Sequence, residues 1–436
     1  MTTASRGGSF VIEGGHPISG TIAPCGNKNE ALPLVAAALL VPGLVRIDNT
    51  PRIRDVEMLV DAIRGLGPAA EFSGSRGLTI DASSLHDSSP DPQLASATRG
   101  SFLLAAPLLA RLGQAVLPQP GGDKIGRRRL DTHLAALRQL GARIDLVGDA
   151  YHLALDGRFR AAEVFLDEAS VTGTETAVMA AVTAAGTTRV LNAACEPHVQ
   201  GLCHALNAMG ARIRGIGSNV LEIEGVDGLS PARHRLSPDH IEVGSLVAIA
   251  AMTRGELRIT DVVPGHLRMT RLAFARLGVE TRVDGATLVV PPDQKLAMVA
   301  DEGGAIPKID DGPWPAFPAD LTPLALVLAT QSEGTVLIHE KLFESRLFFV
   351  DSVIAMGARV VLCDPHRAVV IGASRLRGAT IVSPDIRAGM ALIAAALCAE
   401  GRSVIHNIGQ VDRGYERIDE RLRGLGARIT REWGGP

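Results

Sequence analysis

Six stretches of this chain are apolar on every side. They read ALPLVAAALL from Ala31, SFLLAAPLLA from Ser101, AVMAAVTAA from Ala177, SLVAIAAM from Ser245, LTPLALVLA from Leu321 and AGMALIAAAL from Ala388. Each runs into a glycine (Gly43, Gly113, Gly186, Gly255, Gly334, Gly401) and then into a short β-branched segment. A helix with no polar face must be buried all round, so six of them cannot coat a sheet and face water. A second phrase alternates with the first. It is a helix-like segment closing on a small turn at Gly67, Gly141, Gly210, Gly278, Gly357 and Gly426, at gaps of 74, 69, 68, 79 and 69 residues. Glycine after a helix is the favoured left-handed cap, and the ARI or ARV that often follows begins a strand. The chain is therefore six units of about 70 residues. Each holds an apolar helix, a strand, an amphipathic helix and another strand.

Self-similarity at a fixed period also describes a solenoid. Six long units with buried helices fit two closed domains better. The expected class is α/β: two inside-out barrel domains, each of three repeated units around buried helices, with a cleft between them. The boundary after the third unit falls within HRLSPDHIEVG, residues 234–244. One domain then spans 28–237 and carries the loop 120–131; the other joins 1–27 to 238–436. A cleft between hinged domains is the expected ligand site.

Composition narrows the function. Of 436 residues, 46% are apolar and 21% charged, enough for a large core, but only 3% are aromatic. That argues against stacking platforms for nucleic acid, and a net charge of -3 gives no global pull toward nucleic acid or an anionic membrane. Any cationic site must be local. Five cysteines without a CxxC pair imply reduced thiols and a cytoplasmic home, with Cys25 a small packing residue. The first ten residues lack a signal pattern, and the longest apolar run, broken by Pro42, falls short of the roughly 20 residues a bilayer needs. The 12 histidines show no HxH or HxxxH pair, so neither a metal nor another cofactor is expected.

One local cationic site stands out. PGGDKIGRRRLD, residues 120–131, sets the acid Asp123 immediately before four cations, Lys124, Arg127, Arg128 and Arg129, on a glycine-rich loop. Eight further tags accompany it in order: GNKNEALP at Gly26, TRGS at Thr98, EASVTGTE at Glu168, EPHV at Glu196, PAFPADL at Pro315, FESR at Phe343, SPDIRAG at Ser383 and DRGYERI at Asp412. Over nearly the whole chain they resemble the enolpyruvyl transferases, and most closely those members whose acceptor is UDP-N-acetylglucosamine.

The resemblance implies a reaction. The enolpyruvyl group of phosphoenolpyruvate moves to the 3-hydroxyl of UDP-N-acetylglucosamine with release of phosphate, the first committed step of peptidoglycan synthesis. It nominates Lys28, Asn29, Arg128, Arg387 and Arg413 for phosphoenolpyruvate, because burying so charged an anion needs fixed cations; Lys28 also counts as catalytic. Asp320 becomes the base for the acceptor hydroxyl, although an acid before LTPLALVLA also reads as a helix cap. Asp123 stands where many members carry cysteine and would protonate the methylene carbon. Neighbouring cations lower its pKa, whereas burial and the substrate's charge raise it, and the loop glycines let it close as a lid. Without that cysteine the chain should be insensitive to the epoxide fosfomycin. Arg99, Arg128, Arg129, Leu130, Asp131, Thr132, Glu168, Ser170, Val171, Asp320 and Leu342 are implied for the nucleotide, with Ser170 and Thr172 as cap candidates for a helix start that suits a diphosphate. Arg346 and Glu196 would support the site.

Arg129 stands where proline is common, Glu168 where some members have lysine, and Gly409 and Gln410 precede DRGYER where histidine often appears. UMP, used by relatives in nucleoside-antibiotic pathways, is therefore an alternative acceptor, and a non-catalytic sensor of sugar nucleotide a third reading.

Overall fold

The computed structural model describes residues 8–122 and 125–433. Its contacts divide the chain into two compact units. The first holds residues 25–122 and 128–237, the second 8–24, 125–127 and 238–433. The loop 120–131, expected wholly within one domain, is thus divided by chain position between the two.

In the first unit the apolar segments form the helices Lys28–Ala37, Ala105–Leu112 and Val171–Ala181. The first two pack on the third. Val171–Ala181 is buried at every residue from Gly173 onward. Three sheets surround this bundle. In one, Leu44–Asp48 pairs antiparallel with Gly77–Asp81, setting Val45 against Ile80 and Ile47 against Leu78. All four are buried, as strand alternation requires of one face. The closing strand Arg233–Arg235 returns to that same sheet, parallel to Leu44–Asp48, which ends the unit beside its start.

The second unit repeats the plan with helices His240–Met252, Thr322–Gln331 and Ile386–Cys398, all three in mutual contact. His240–Met252 is buried along its entire length. Three sheets surround these helices too. The N-terminal strand Gly8–Glu13 lies between Arg402–His406 and Arg428–Trp433, antiparallel to both. The next, Gly20–Ile22, runs parallel to Leu257–Ile259. Gly8–Glu13 and Arg428–Trp433, from opposite ends of the described residues, thus share one sheet.

The outer helices show the other pattern. Arg54–Gly65 buries Val56, Leu59, Val60 and Ile63 and exposes Arg54, Glu57, Asp61 and Arg64, a single apolar stripe. The turn glycines Gly67, Gly141, Gly210, Gly278, Gly357 and Gly426 all have positive φ, from +85° to +112°, so the periodic phrase is one backbone conformation used six times. Among the described residues no helix is long and apolar enough to cross a membrane, and no cluster of His, Cys, Asp or Glu could hold a metal ion. No disulfide forms among the described residues.

All-round burial makes a specific prediction. Leu326 and Leu328 point to opposite sides of the Thr322–Gln331 helix and both are fully buried. Leu326→Ala and Leu328→Ala should each lower unfolding free energy by about 2–5 kcal/mol in urea titrations. A helix lying on a sheet would lose that much on one side only.

Candidate active site

Within each unit, several candidate residues stand where the apolar helices begin. In the first unit Asn27 caps Lys28–Ala37, its Oδ1 accepting from Asn29 N at 2.8 Å and Glu30 N at 3.2 Å. Lys28 is the first residue of that helix. It is nearly buried, and its Nζ lies 2.8 Å from Oδ2 of Asp55 in the first turn of Arg54–Gly65. A buried ammonium needs such a partner. Glu30, fully buried, lies 2.9 Å from His234 Nε2 and accepts from Ser237 N at 3.0 Å. The start of the unit is thereby tied to its last residues.

Arg99 opens the 3-10 turn Arg99–Leu104 that leads into Ala105–Leu112. Its Nη2 donates to the Arg129 carbonyl at 2.6 Å. Burial, and then the neighbouring Arg128, push its pKa down to about 10. Two guanidiniums held this close form a site where an anion would relieve repulsion. Gly122 meets both side chains: a Cβ there would lie 3.4 Å from Arg99 Cβ and 3.6 Å from Arg128 Nη1, at φ +120°. Asp123 and Lys124 lie outside the described residues.

Several nucleotide candidates lie around the starts of the helices Asp131–Gln139 and Val171–Ala181. Leu130 precedes Asp131–Gln139 and is buried. Thr132 Oγ1 donates to Asp167 Oδ1 at 2.7 Å and lies 3.5 Å from Glu168 Oε1. Arg129 spans loosely to Asp131 and Asp167, at 3.7 and 4.0 Å. Ser170 caps Val171–Ala181 through Gly173 N at 3.2 Å. Thr172, also read as a cap candidate, instead lies 2.9 Å from Nε2 of buried His133, whose Nδ1 is 2.9 Å from Thr176 Oγ1. Burial, and then Arg99, hold the His133 pKa down to about 3. Glu196 precedes Pro197–Ala208 without capping it, and after burial its charge is the second cause that raises the acid of Glu175 well above the ordinary range.

In the second unit the cap reading of Asp320 fails. It sits in the turn Ala319–Leu321, and no side chain caps the Thr322–Gln331 helix. Its Oδ1 accepts from Arg346 Nη2 at 2.9 Å and its Oδ2 from Arg387 Nε at 2.9 Å. Both arginines are buried, yet Arg346 Nε and Arg387 Nη1 meet no acceptor among the described residues. Burial alone would lower the Arg387 pKa, but Asp320, Tyr415 and Asp239 carry it above the ordinary arginine value. Asp385 fixes the other end of that residue, capping Ile386–Cys398 through Arg387 N at 2.8 Å and Ala388 N at 2.9 Å. Arg413 Nη1 donates to Gln410 Oε1 at 3.0 Å, so the glutamine that stands where histidine often appears holds an anion-binding candidate. Leu342 is 43% exposed, available for an apolar contact.

The structure thus joins Asp320, Arg346 and Arg387 directly, and Arg99, Arg128 and Arg129 with the Asp131 helix. Sequence reasoning gave Arg346 only a supporting place and missed Asp55, one of three acids in an amphipathic helix and without a local mark to set it apart. It also missed the ring cluster of His240, His266 and Trp314, with centroids 6.1–6.3 Å apart. His240 lies near enough to Asp320 and Arg387 to feel both charges, while burial is the main cause holding its pKa down to about 4. Trp314, in the loop leading to Asp320, was the one available signal, because the chain has only two tryptophans.

Known proteins share this architecture. A family model described as EPSP synthase (3-phosphoshikimate 1-carboxyvinyltransferase) matches residues 12–422. The chain is 56% identical to a protein of Bradyrhizobium diazoefficiens named UDP-N-acetylglucosamine 1-carboxyvinyltransferase, over 97% of each chain. A protein of Treponema denticola with the same name is 52% identical over 96% of this chain and 98% of its own. Among solved structures, the enolpyruvyl transferase NikO from Streptomyces tendae superposes with a TM-score of 0.87 at 26% identity, covering 98% of this chain and 100% of that one. An EPSP synthase from Acinetobacter baumannii, 17% identical with a TM-score of 0.75 over the same shares, carries the fold.

His133 sets a pH dependence. Its pKa is about 3 in the folded protein, against an ordinary value of 6.5, so between these values the native state binds fewer protons than the unfolded one. The stability that neutral His133 contributes is complete above pH 6.5 and is lost as pH falls toward 3. Urea titrations below pH 6.5 should show the native protein losing up to about 1.4 kcal/mol per pH unit more than His133→Gln.

Proposed function

The chain belongs to the EPSP synthase family of enolpyruvyl transferases, and from that premise we propose that it transfers the enolpyruvyl group of phosphoenolpyruvate to the 3-hydroxyl of UDP-N-acetylglucosamine, releasing phosphate. That reaction commits sugar nucleotide to peptidoglycan. The observation that carries this reading is the Asp320 clamp. One carboxylate is held by two buried arginines, and each arginine keeps a buried N–H that meets no acceptor among the described residues. Those spare donors suit a second anion, and arginine forks suit a carboxylate or phosphate.

The clamp supplies an order of events. While both guanidiniums hold Asp320, its oxygens are occupied. Phosphoenolpyruvate competes for Arg387, together with Lys28, Asn29, Arg128 and Arg413. A guanidinium that turns to the substrate releases an Asp320 oxygen to the acceptor hydroxyl, so the base becomes available only when the group to be transferred is present. Asp123 then protonates the methylene carbon as the acceptor oxygen bonds to its neighbour, and the addition product gives up a methyl proton together with phosphate, which restores the double bond. Arg99, Arg129, Leu130, Asp131, Thr132, Glu168, Ser170, Val171 and Leu342 receive the nucleotide, with Ser170 at a helix start whose free N–H groups favour the diphosphate.

Phosphate release measured over an acceptor panel tests the reading. UDP-N-acetylglucosamine should support turnover, and Asp320→Asn should lower it by about 10²–10⁴-fold, the usual worth of a general base. Release with UMP in its place would overturn the acceptor, and nucleotide binding without release from any acceptor would make the protein a sensor. The native protein should resist fosfomycin. Asp123→Cys should keep turnover and become inactivated by the epoxide, with one adduct on the new thiol by mass spectrometry. Covalent labelling of native protein in the 120–131 loop would contradict the role given to Asp123.

A further inference from the structure

The turn that carries Arg346 rests on two buried acids that the reaction above does not use. The strands Lys308–Asp310 and Gly334–His339 run parallel, with Ile309 beside Ile338 and Asp310 beside His339. The next residue of each is Asp311 and Glu340, so the register sets two carboxyl groups side by side. Asp311 is 1% exposed and Glu340 fully buried. Each commits one oxygen to the following turn: Lys341 N donates to Asp311 Oδ1, and Phe343 N donates to Glu340 Oε1 at 3.1 Å. The remaining oxygens, Asp311 Oδ2 and Glu340 Oε2, are buried and meet no donor at hydrogen-bonding geometry among the described residues.

Two adjacent buried carboxylates cannot both stay charged at ordinary cost. One proton between them removes the repulsion and makes each orphan oxygen the other's partner. We propose that Glu340 and Asp311 share one proton, and that this acid–carboxylate pair positions Arg346 and, through it, Asp320. The proposal rests on the reading of Asp320 as the group that acts on the acceptor. Other groups face Glu340. Arg346 and the Thr322 hydroxyl lie beside its carboxyl, and His366 lies across its backbone, accepting from Glu340 N at 2.8 Å and placing Nδ1 2.8 Å from the Glu340 carbonyl. Lys308 and Lys341 pair with Asp310 on the neighbouring strand. Burial pushes the Glu340 acid up to about 9; Arg346 opposes the rise and Asp311 adds to it.

The sign follows. A carboxyl whose folded pKa lies above its ordinary 4.5 gives the native state extra bound protons from about pH 4.5 to 9, so its contribution declines as pH rises through that window. Glu340→Gln keeps a donor and cannot ionise. It should leave kcat near neutral pH within about threefold of native, and should lack the alkaline fall in kcat near pH 9 that the proposal expects of the native protein. Its Tm advantage over native should widen from pH 5 to 9. Infrared difference spectra at neutral pH should show a carboxylic-acid C=O band in native protein that the variant lacks. Identical alkaline limbs, a pH-independent Tm gap or a missing acid band would each overturn the proposal. Should Glu340→Gln fail to fold, Asp311→Asn serves, with the native limb expected to move to lower pH and an unmoved limb counting against the pair. The band and the melting curves need no turnover. Their presence in a protein without transferase activity would count against the reaction; their absence in an active one counts against the pair.

Discussion

A helix with no wet side can place polar chemistry only at its ends, and each unit is built on three of them. At its N-terminal end each has N–H groups with no helical acceptor and the positive end of its dipole. The chain uses every one of these ends. Asn27 and Lys28 open the first, Thr98 and Arg99 lead into the second, and Ser170 caps the third. In the other unit Asp239 caps His240–Met252, Asp320 sits in the turn before Thr322–Gln331, and Asp385 caps Ile386–Cys398 just ahead of Arg387. The aliphatic composition that builds the bundles thus also drives the charged residues to their rims, where anions are favoured.

The two units hold their cations differently. In the second, Asp320 stands between Arg346 and Arg387, so two buried guanidiniums are stabilised by one shared carboxylate and retain spare donors. In the first, Arg99 is set against Arg128, and repulsion there adds to the lowering that burial begins. Both arrangements leave positive charge that a substrate anion would offset. Lys28 with Asp55 is the contrasting case, a buried pair of opposite single charges. Exposed pairs such as Arg143 with Asp156 contribute little to stability.

Much of this could be read along the chain. Two interleaved phrases of one period announced six units, and the positive φ at all six turn glycines is the backbone form of that signal. The motif tags marked nearly every candidate residue, because each lies within a few positions of a helix start. What could not be read were pairings over distance. Asp320 looked like a cap because caps are local, but its partners are 26 and 67 residues away. Thr172 resembled Ser170, yet only the Asp131–Gln139 helix packed alongside assigns it to His133. Asp311 and Glu340 carry no shared motif; parallel strand register alone makes them neighbours.

Sequence pattern was enough for the class of fold, the number of repeats, the aliphatic core and the chemical character of the rims, since these follow from side-chain periodicity and from what burial forbids. Packing alone settled which carboxylate meets which cation and which carboxyl groups lie buried side by side. Those outcomes depend on desolvation and on separations of about 3 Å, and such separations exist only once distant segments are stacked in register.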